Sequence, residues 1–540
     1  DVAFYHTGII PMNYSFATEG QKDMSTLVPA MLLLIVVLLA VLLRSMLAML
    51  ATVVVLVLTI MATMGLAGWM GFFLSTGTIN VPIVVLTIAV ADCVHVVATM
   101  QYGMKQGKSR KEAVRYSLEL NWMPIFITSA TTAVGFLTLM MSESPVFADF
   151  GFLCAMGVML AYVMSVTLFP ALLSVLPVGA GGRVDDKAPA MAHFGDFVIR
   201  HQTPLLWGGV AIVAVLSALA MRNEINDVAT EYFAESTAYR QSVDKQADTL
   251  SGSQSIDWAM YTDEAGGISN PEFIAVMRDF TEWLEQQPEI DHVSGLSDTF
   301  MRLNKNMHAD DPDWYKIPDD RELAAQYLLL YEMSLPYGLD LNNQVNVDKS
   351  AVRMTSILKN LGSVEIISLE NRAKDWMDTN APGIRLTAAS PSVMFSHIGE
   401  TNMKSMILSM MMALVIISGI LIFALRSLRL GVISLFPNIT PALVGFGFWT
   451  FISGEINLGL SIVSSMTLGI IVDDTVHFLS KYKRARMEGL TTEAAVRYSF
   501  INVGRALLIT TLVLVLGFSM LAFSAFRLNS DMGIATSLII

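Results

Sequence analysis

Gly469-Ile470-Ile471-Val472-Asp473-Asp474-Thr475-Val476-His477 sets two adjacent acids and a histidine inside an apolar run from about Leu458 to Leu479. Roughly 20 apolar residues, at about 1.5 Å rise each, cross the hydrocarbon of a bilayer. The run therefore predicts a membrane helix with its acids near mid-membrane. On such a helix Asp474 lies three residues and Asp473 four residues before His477, so one face can gather a carboxylate and the imidazole. A charge at that depth costs about 2.5 to 3.5 kcal/mol and is tolerated where a partner or a water-filled path receives it. The stretch predicts an intramembrane proton or ion relay.

Ala91-Asp92-Cys93-Val94-His95 repeats the pattern in a second apolar run, about Val81 to Met100. A shift of 382 residues superposes Asp92 on Asp474 and His95 on His477. The same shift pairs Arg44-Ser45 with Arg426-Ser427, Ala113-Val114-Arg115-Tyr116-Ser117 with Ala495-Val496-Arg497-Tyr498-Ser499, Gly135-Phe136 with Gly517-Phe518, and Gly151 with Gly533, without a gap. Chance does not hold one offset across four helices, so the chain is an internal duplication. The copies differ within the motif. Ala91 stands where Asp473 stands, and Thr87 where Gly469 stands, which makes the relay asymmetric.

With 540 residues, 54% hydrophobic and only 15% charged, and a mean hydropathy of +0.55, the chain reads as a polytopic membrane protein. Its net charge of −13 is uneven: about 30 of the 47 acids, against about 15 bases, fall between Arg222 and Lys404. That excess argues against a nucleic-acid partner and for a solvated extramembrane domain. Cys93 and Cys154 both sit in apolar helices and read as buried thiols. The 35 methionines read as gap fillers between helices.

In chain order, residues 1–26 are expected to be the tail of an extramembrane domain that precedes the sequence along with a first helix. Residues 27–175 carry the second to sixth helices of the first repeat, read at about Leu27 to Leu43, Ala48 to Met70, Val81 to Met100, Pro124 to Met141 and Phe147 to Leu173. Residues 176–203 form a cytoplasmic linker: breaker-rich Pro177 to Gly182, then an amphipathic helix with Met191, Phe194 and Val198 on its apolar face, lying on the membrane surface. Residues 204–221 are the first helix of the second repeat. The acidic domain, 222–404, is outside the membrane. There, strands at Ile256 to Thr262 and Ile290 to Leu296 flank a helix capped at Asn270-Pro271, a further helix runs from Arg321 to Met333, and Ala351 to Leu358 and Gly383 to Ala389 flank another. The two units predict split βαβ, ferredoxin-like subdomains. Residues 405–540 hold the remaining helices, at about Met406 to Leu425, Leu430 to Ile452, Leu458 to Leu479 and Val503 to Phe526, with the last, from Asn529, cut short. Basic loops at Arg44, Lys105 to Arg115, Arg183 to Arg200, Arg426 to Arg429 and Lys481 to Arg486 mark the cytoplasmic side, which puts the acidic domain on the other.

Six helices per half, a large loop after the first helix of each half and an acidic motif on the fourth helix resemble the RND (resistance-nodulation-division) superfamily. The Gly-x-x-x-Asp-Asp-x-x-His form of Gly469 to His477 is most similar to its MmpL-type and hydrophobe/amphiphile-exporter branch. The resemblance implies two pseudo-symmetric helical repeats with an α+β, ferredoxin-like extracytoplasmic porter domain. It also implies a multi-pass protein of the bacterial cytoplasmic (inner) membrane with a periplasmic domain, and proton-driven efflux of a hydrophobic or amphiphilic substrate, lipids among the candidates. A homo-oligomer or a complex with a periplasmic partner is compatible with it.

If the two motif helices pack against each other about the pseudo-twofold, Asp92 approaches Asp473 or Asp474. Carboxylates sharing a dry site cannot all stay ionised. Asp92, Asp473 and Asp474 are therefore the expected proton carriers, with His95 and His477 as relay or orienting partners. Thr128, Ser129, Thr510 and Thr511 are candidate supports, although small hydroxyl residues are also ordinary helix-contact residues in membranes. No phosphate-binding glycine loop is present, so ATP is not the expected energy source, and neither cofactor nor metal is expected. A lipid or sterol sensor, or an accessory to protein export, is the alternative on the same scaffold. Intramembrane aspartyl proteolysis also wants two carboxylates, but its Gly-x-Gly-Asp signature is absent.

Overall fold

The computed structural model describes residues 3–75, 77–179, 188–336 and 338–540, apart from the side chains of 188–190. Part of the breaker-rich linker, with Arg183 and Lys187, lies outside the described residues. In chain order the elements are α1 (Ile9–Leu43), α2 (Met46–Trp69), α3 (Val81–Lys105), α4 (Arg110–Leu137), α5 (Pro145–Val166), α6 (Leu168–Val175), α7 (Ala188–Arg200) and α8 (Gln202–Ala220). There follow β1 (Glu224–Ile225), α9 (Ala238–Thr249), β2 (Gln254–Tyr261), α10 (Pro271–Glu285), β3 (Ile290–Ser294), α11 (Leu296–Met307), α12 (Arg321–Ser334), β4 (Ala351–Leu358), α13 (Ser363–Asn380) and β5 (Arg385–Ala389). The chain closes with α14 (Pro391–Leu425), α15 (Leu428–Trp449), β6 (Glu455–Ile456), α16 (Leu458–Ser461), α17 (Val463–Met487), α18 (Thr492–Ser519) and α19 (Arg527–Ile539). Two compact units form: residues up to Ser15 with Asn226–Glu400, and Phe16–Ile225 with Thr401–Ile540.

In the second, helical unit the duplication is visible element by element. Under the 382 shift α1 falls on α14, α3 on α17 and α4 on α18, with both ends coinciding, and α2 and α15 share their first residue. The turns agree as well. Arg44 at φ 49° and Arg426 at φ 43° take the same left-handed conformation. The next residues, Ser45 and Ser427, then cap α2 and α15 by accepting from the N–H groups of Ala48 and Leu430.

Ten helices among the described residues are long and apolar enough to cross a membrane. Several extend beyond the apolar runs that announced them. α1 begins at Ile9 rather than Leu27 and α14 at Pro391 rather than Met406, because a helix continues past the bilayer where hydropathy no longer marks it. Likewise α4 starts at Arg110 and carries Pro124 in its interior. The sequence reading began this helix at Pro124, but the reciprocal Ser109–Glu112 capping box starts it earlier, and membrane helices tolerate internal proline. The single expected helix from Phe147 to Leu173 is broken at Thr167 (φ −114°, ψ −73°), where Pro170 cannot donate to the Val166 carbonyl.

α7 keeps much of its apolar face exposed, with Phe194 52% exposed. It packs on α18, with Phe194 edge-on to Phe500 at 5.3 Å and Asp196 paired with Arg497 at 3.1 Å. Gly195 and Gly504 leave the room for this contact, facing Phe500 and Met191.

The acidic unit contains one sheet, where two subdomains were expected. Its strand order is β3-β4-β2-β5, every neighbouring pair antiparallel. A βαβ crossover leaves a strand-wide gap between its parallel strands. β2-α10-β3 and β4-α13-β5 each fill the other's gap, so the two units interleave. Ile256, Trp258 and Met260 alternate into a core with Phe280 and Leu284 of α10 and Leu369 and Met377 of α13. Asn270 caps α10, accepting from Glu272 N–H at 3.0 Å.

Candidate functional site

The site lies in the helical unit, where α3, α4, α17 and α18 form a ring. α4 and α18 each lie against both α3 and α17, so the two motif helices stand diagonally and do not pack along their length as the pseudo-twofold expectation had it. Small residues permit this. A Cβ at Gly469 would fall 2.8 Å from Thr132 Cα, and one at Gly135 would meet the Ser465 carbonyl at 3.1 Å. Thr132 Oγ1 donates to the Gly469 carbonyl at 2.8 Å across the same contact. In the first repeat, Thr87 takes the place of Gly469. Its hydroxyl donates to Ile83 of its own helix at 2.7 Å, and its methyl group occupies the space beside Gly517.

The motif side chains meet inside this ring. His95 and His477 stack face to face, ring centroids 3.8 Å apart and planes 2° from parallel. Asp473 reaches both, its Oδ1 3.4 Å from His477 Nε2 and its Oδ2 4.0 Å from His95 Nε2. His477 is 0% and His95 2% exposed. Among the described residues no well-directed hydrogen bond reaches His95 Nε2 or either nitrogen of His477, the 3.4 Å approach of Asp473 being an ion-pair contact. Buried nitrogens left unsatisfied are costly in a purely structural core, so they call for an explanation. Asp92 and Asp473 line one cavity of about 20 Å³ with Ala91, Thr128, Ser129 and Thr132, room for one bridging water. Ala91, the residue where the first repeat lacks an acid, forms part of the wall.

Asp474 lies apart from the histidines, partly exposed. Its environment mirrors that of Asp92: Thr511 donates to Asp474 Oδ2 at 3.4 Å and Ser129 to Asp92 Oδ2 at 3.4 Å, equivalent hydroxyls on equivalent carboxylates. Thr128 lines the cavity, while Thr510 turns back onto the Ala506 carbonyl of its own helix at 3.1 Å. The sequence reading missed Asn438 and took Lys481 for a topology marker. Asn438, 1% exposed, accepts from Thr475 at 3.0 Å; nothing in its apolar surroundings on α15 signalled it. Lys481 is buried one turn beyond His477, a spacing readable in the sequence but hidden among the other basic residues.

Among the described residues, His95, Asp473 and His477 are the trio whose donor atoms converge, all within 4.8 Å. Two imidazoles and a carboxylate are a suitable donor set for a transition metal, but each ring must hold the ion in its own plane. Parallel stacked planes share no point, so this arrangement does not fit one ion bound by both rings. It suits proton exchange between close neutral and charged partners.

Ten candidate spans and a duplicated bundle around buried titratable groups define a polytopic α-helical membrane protein. The chain belongs to the MMPL family, whose sequence signature matches residues 1–199 and 341–540. Over 169 residues it is 24% identical to a membrane protein of Methanocaldococcus jannaschii designated MJ1562, a match covering 31% of this chain and 44% of that one. Over 247 residues it is 26% identical to the probable transport protein MmpL1 of Mycobacterium tuberculosis, covering 43% of this chain and 25% of that one. The chain spans less than half the length of these relatives.

Proposed function

We propose that the protein is a secondary active exporter that couples inward proton movement to the removal of a hydrophobic or amphiphilic molecule, lipids included, from the cytoplasmic membrane. The observation that carries this reading is the water-sized cavity shared by Asp92 of one repeat and Asp473 of the other, beside the stacked His95 and His477. Protonation there removes charge from the centre of a ring built by both repeats, which gives the two halves a reason to change their packing. One charge crossing 100 mV releases about 2.3 kcal/mol, enough to bias such an equilibrium. The basic loops favour a cytoplasmic face opposite the acidic unit, which then serves as a periplasmic porter domain of an inner-membrane protein. A cavity of about 200 Å³ within that unit, lined by Ile9, Met12, Tyr239 and Phe395 with Thr230 and Gln254, offers apolar walls with polar contacts, as an amphiphile needs.

Proteoliposomes holding NBD-labelled phosphatidylethanolamine provide the test. Asp473→Asn is expected to abolish movement of the label driven by a pH gradient, with the protein still folded. Unchanged movement in that variant would remove the relay from the mechanism.

A further inference from the structure

The titratable series on α17 does not end at His477. Asp473, His477 and Lys481 recur every four residues on one face, and Lys481 is only 7% exposed although it opens the basic run to Arg486. Of the others in that run, Arg484 pairs with Glu488 at 3.2 Å with half its side chain in solvent, Arg486 is exposed, and half-buried Lys483 donates to the Leu425 carbonyl at 2.5 Å. Lys481 instead turns across to α4, where Nζ donates to the Leu120 carbonyl at 3.4 Å, with no carboxylate partner among the described residues. The titratable groups within electrostatic reach are His95 on α3 and Arg484 on α17 itself.

The repeat sharpens the argument. Shifted by 382, Asp473 falls on Ala91 and Lys481 on Thr99, so the second repeat places a titratable group four residues on either side of its histidine where the first has an alanine and a threonine. Thr99 only accepts from Asn121 at 2.8 Å. α17 alone thus carries an unbroken line of about 12 Å from the acid to Lys481, with about 9 Å of helix left before its end. A lysine that merely anchored the helix would extend toward lipid headgroups. An ammonium with one long bond to a neutral carbonyl is poorly solvated, and lysine, unlike arginine, can exist there with or without its third proton.

We propose that Lys481 is the inner proton carrier of the relay. As the neutral amine it accepts a proton at Nζ from the His95 imidazolium, which returns to the neutral ring, and becomes an ammonium. It then gives that proton to water at the cytoplasmic end of α17, which restores the amine. The assignment rests on the proton-coupled reading above.

The full chain is reconstituted in vesicles of phosphatidylethanolamine and phosphatidylglycerol with pyranine inside, under an imposed pH gradient and a valinomycin-clamped potential. Wild-type proton flux should exceed that of protein-free vesicles. Lys481→Arg keeps the charge and the topology signal but cannot release a proton, and should lower flux about 10²-fold, as should Lys481→Met. Lys481→His, which can still take and give a proton, should recover most of it. Wild-type flux in Lys481→Arg alongside an inactive Asp473→Asn overturns this proposal and leaves the relay standing. Wild-type flux in Asp473→Asn, or none above protein-free vesicles in the wild type, overturns both.

Discussion

Asp473 is the side chain on which both imidazoles and the carboxylate of the other repeat converge, and its neighbours divide by what their loss should do. His477 and His95 contribute two separable things, a flat ring in a 3.8 Å stack and a nitrogen that can carry a proton. His477→Phe keeps the first and removes the second. Its thermal midpoint should stay within a few degrees of wild type while proton flux in vesicles falls about 10²-fold; retained flux would assign the stack to packing alone. Ser129→Ala and Thr511→Ala each remove one long, 3.4 Å hydrogen bond to a carboxyl group, worth about 1 kcal/mol. Their flux should drop only several-fold, and to similar extents, because the two hydroxyls occupy equivalent places. Both acids and both histidines were visible in the sequence. Which of the adjacent acids faces the histidines was not, since both the three- and the four-residue spacing allow it.

At the scale of elements, the α4–α17 contact sets the rotation of the motif helix. Gly469→Val puts a branched side chain where even a Cβ meets Thr132 Cα at 2.8 Å, and overpacking of this kind costs about 1 to 3 kcal/mol. A lowered thermal midpoint in detergent, with flux lost, is the expected result; a wild-type midpoint would mean that α4 and α17 separate freely. The helix bounds show the same division between local and distant causes. Apolar runs located every span but placed starts late where capping residues such as Ser109 and Thr491 lie outside the hydrocarbon-like stretch. The diagonal placing of α3 and α17 had no sequence signal, because it depends on α4 and α18 entering between them.

On the scale of the whole molecule, the two units should respond differently to acid. In the acidic unit Glu370 is buried, which opposes ionisation, but Lys374 and His397 each donate to it at 2.6 Å. These bonds outweigh the burial and hold its carboxyl below the usual glutamate range. A carboxyl that binds its proton more weakly when folded stabilises the fold fully above its unfolded value, about 4.3, and that contribution is lost as pH falls through the folded value. Unfolding of the acidic unit, followed by tryptophan fluorescence, should therefore become easier below about pH 4. Glu370→Gln should flatten this dependence, and an unchanged slope would exclude the cluster as its source.

The sequence by itself determined the spans, the duplication and the chemistry of the centre, because hydropathy, a fixed 382-residue offset and the rarity of acids in apolar runs are properties of the linear chain. Only the tertiary structure decided that Asp473 rather than Asp474 meets the histidines, that both βαβ units share one sheet, and that Lys481 turns inward. Helix rotation and strand neighbours are fixed by contacts between distant residues, such as that between Thr132 and Gly469, 337 positions apart, and no local pattern encodes them.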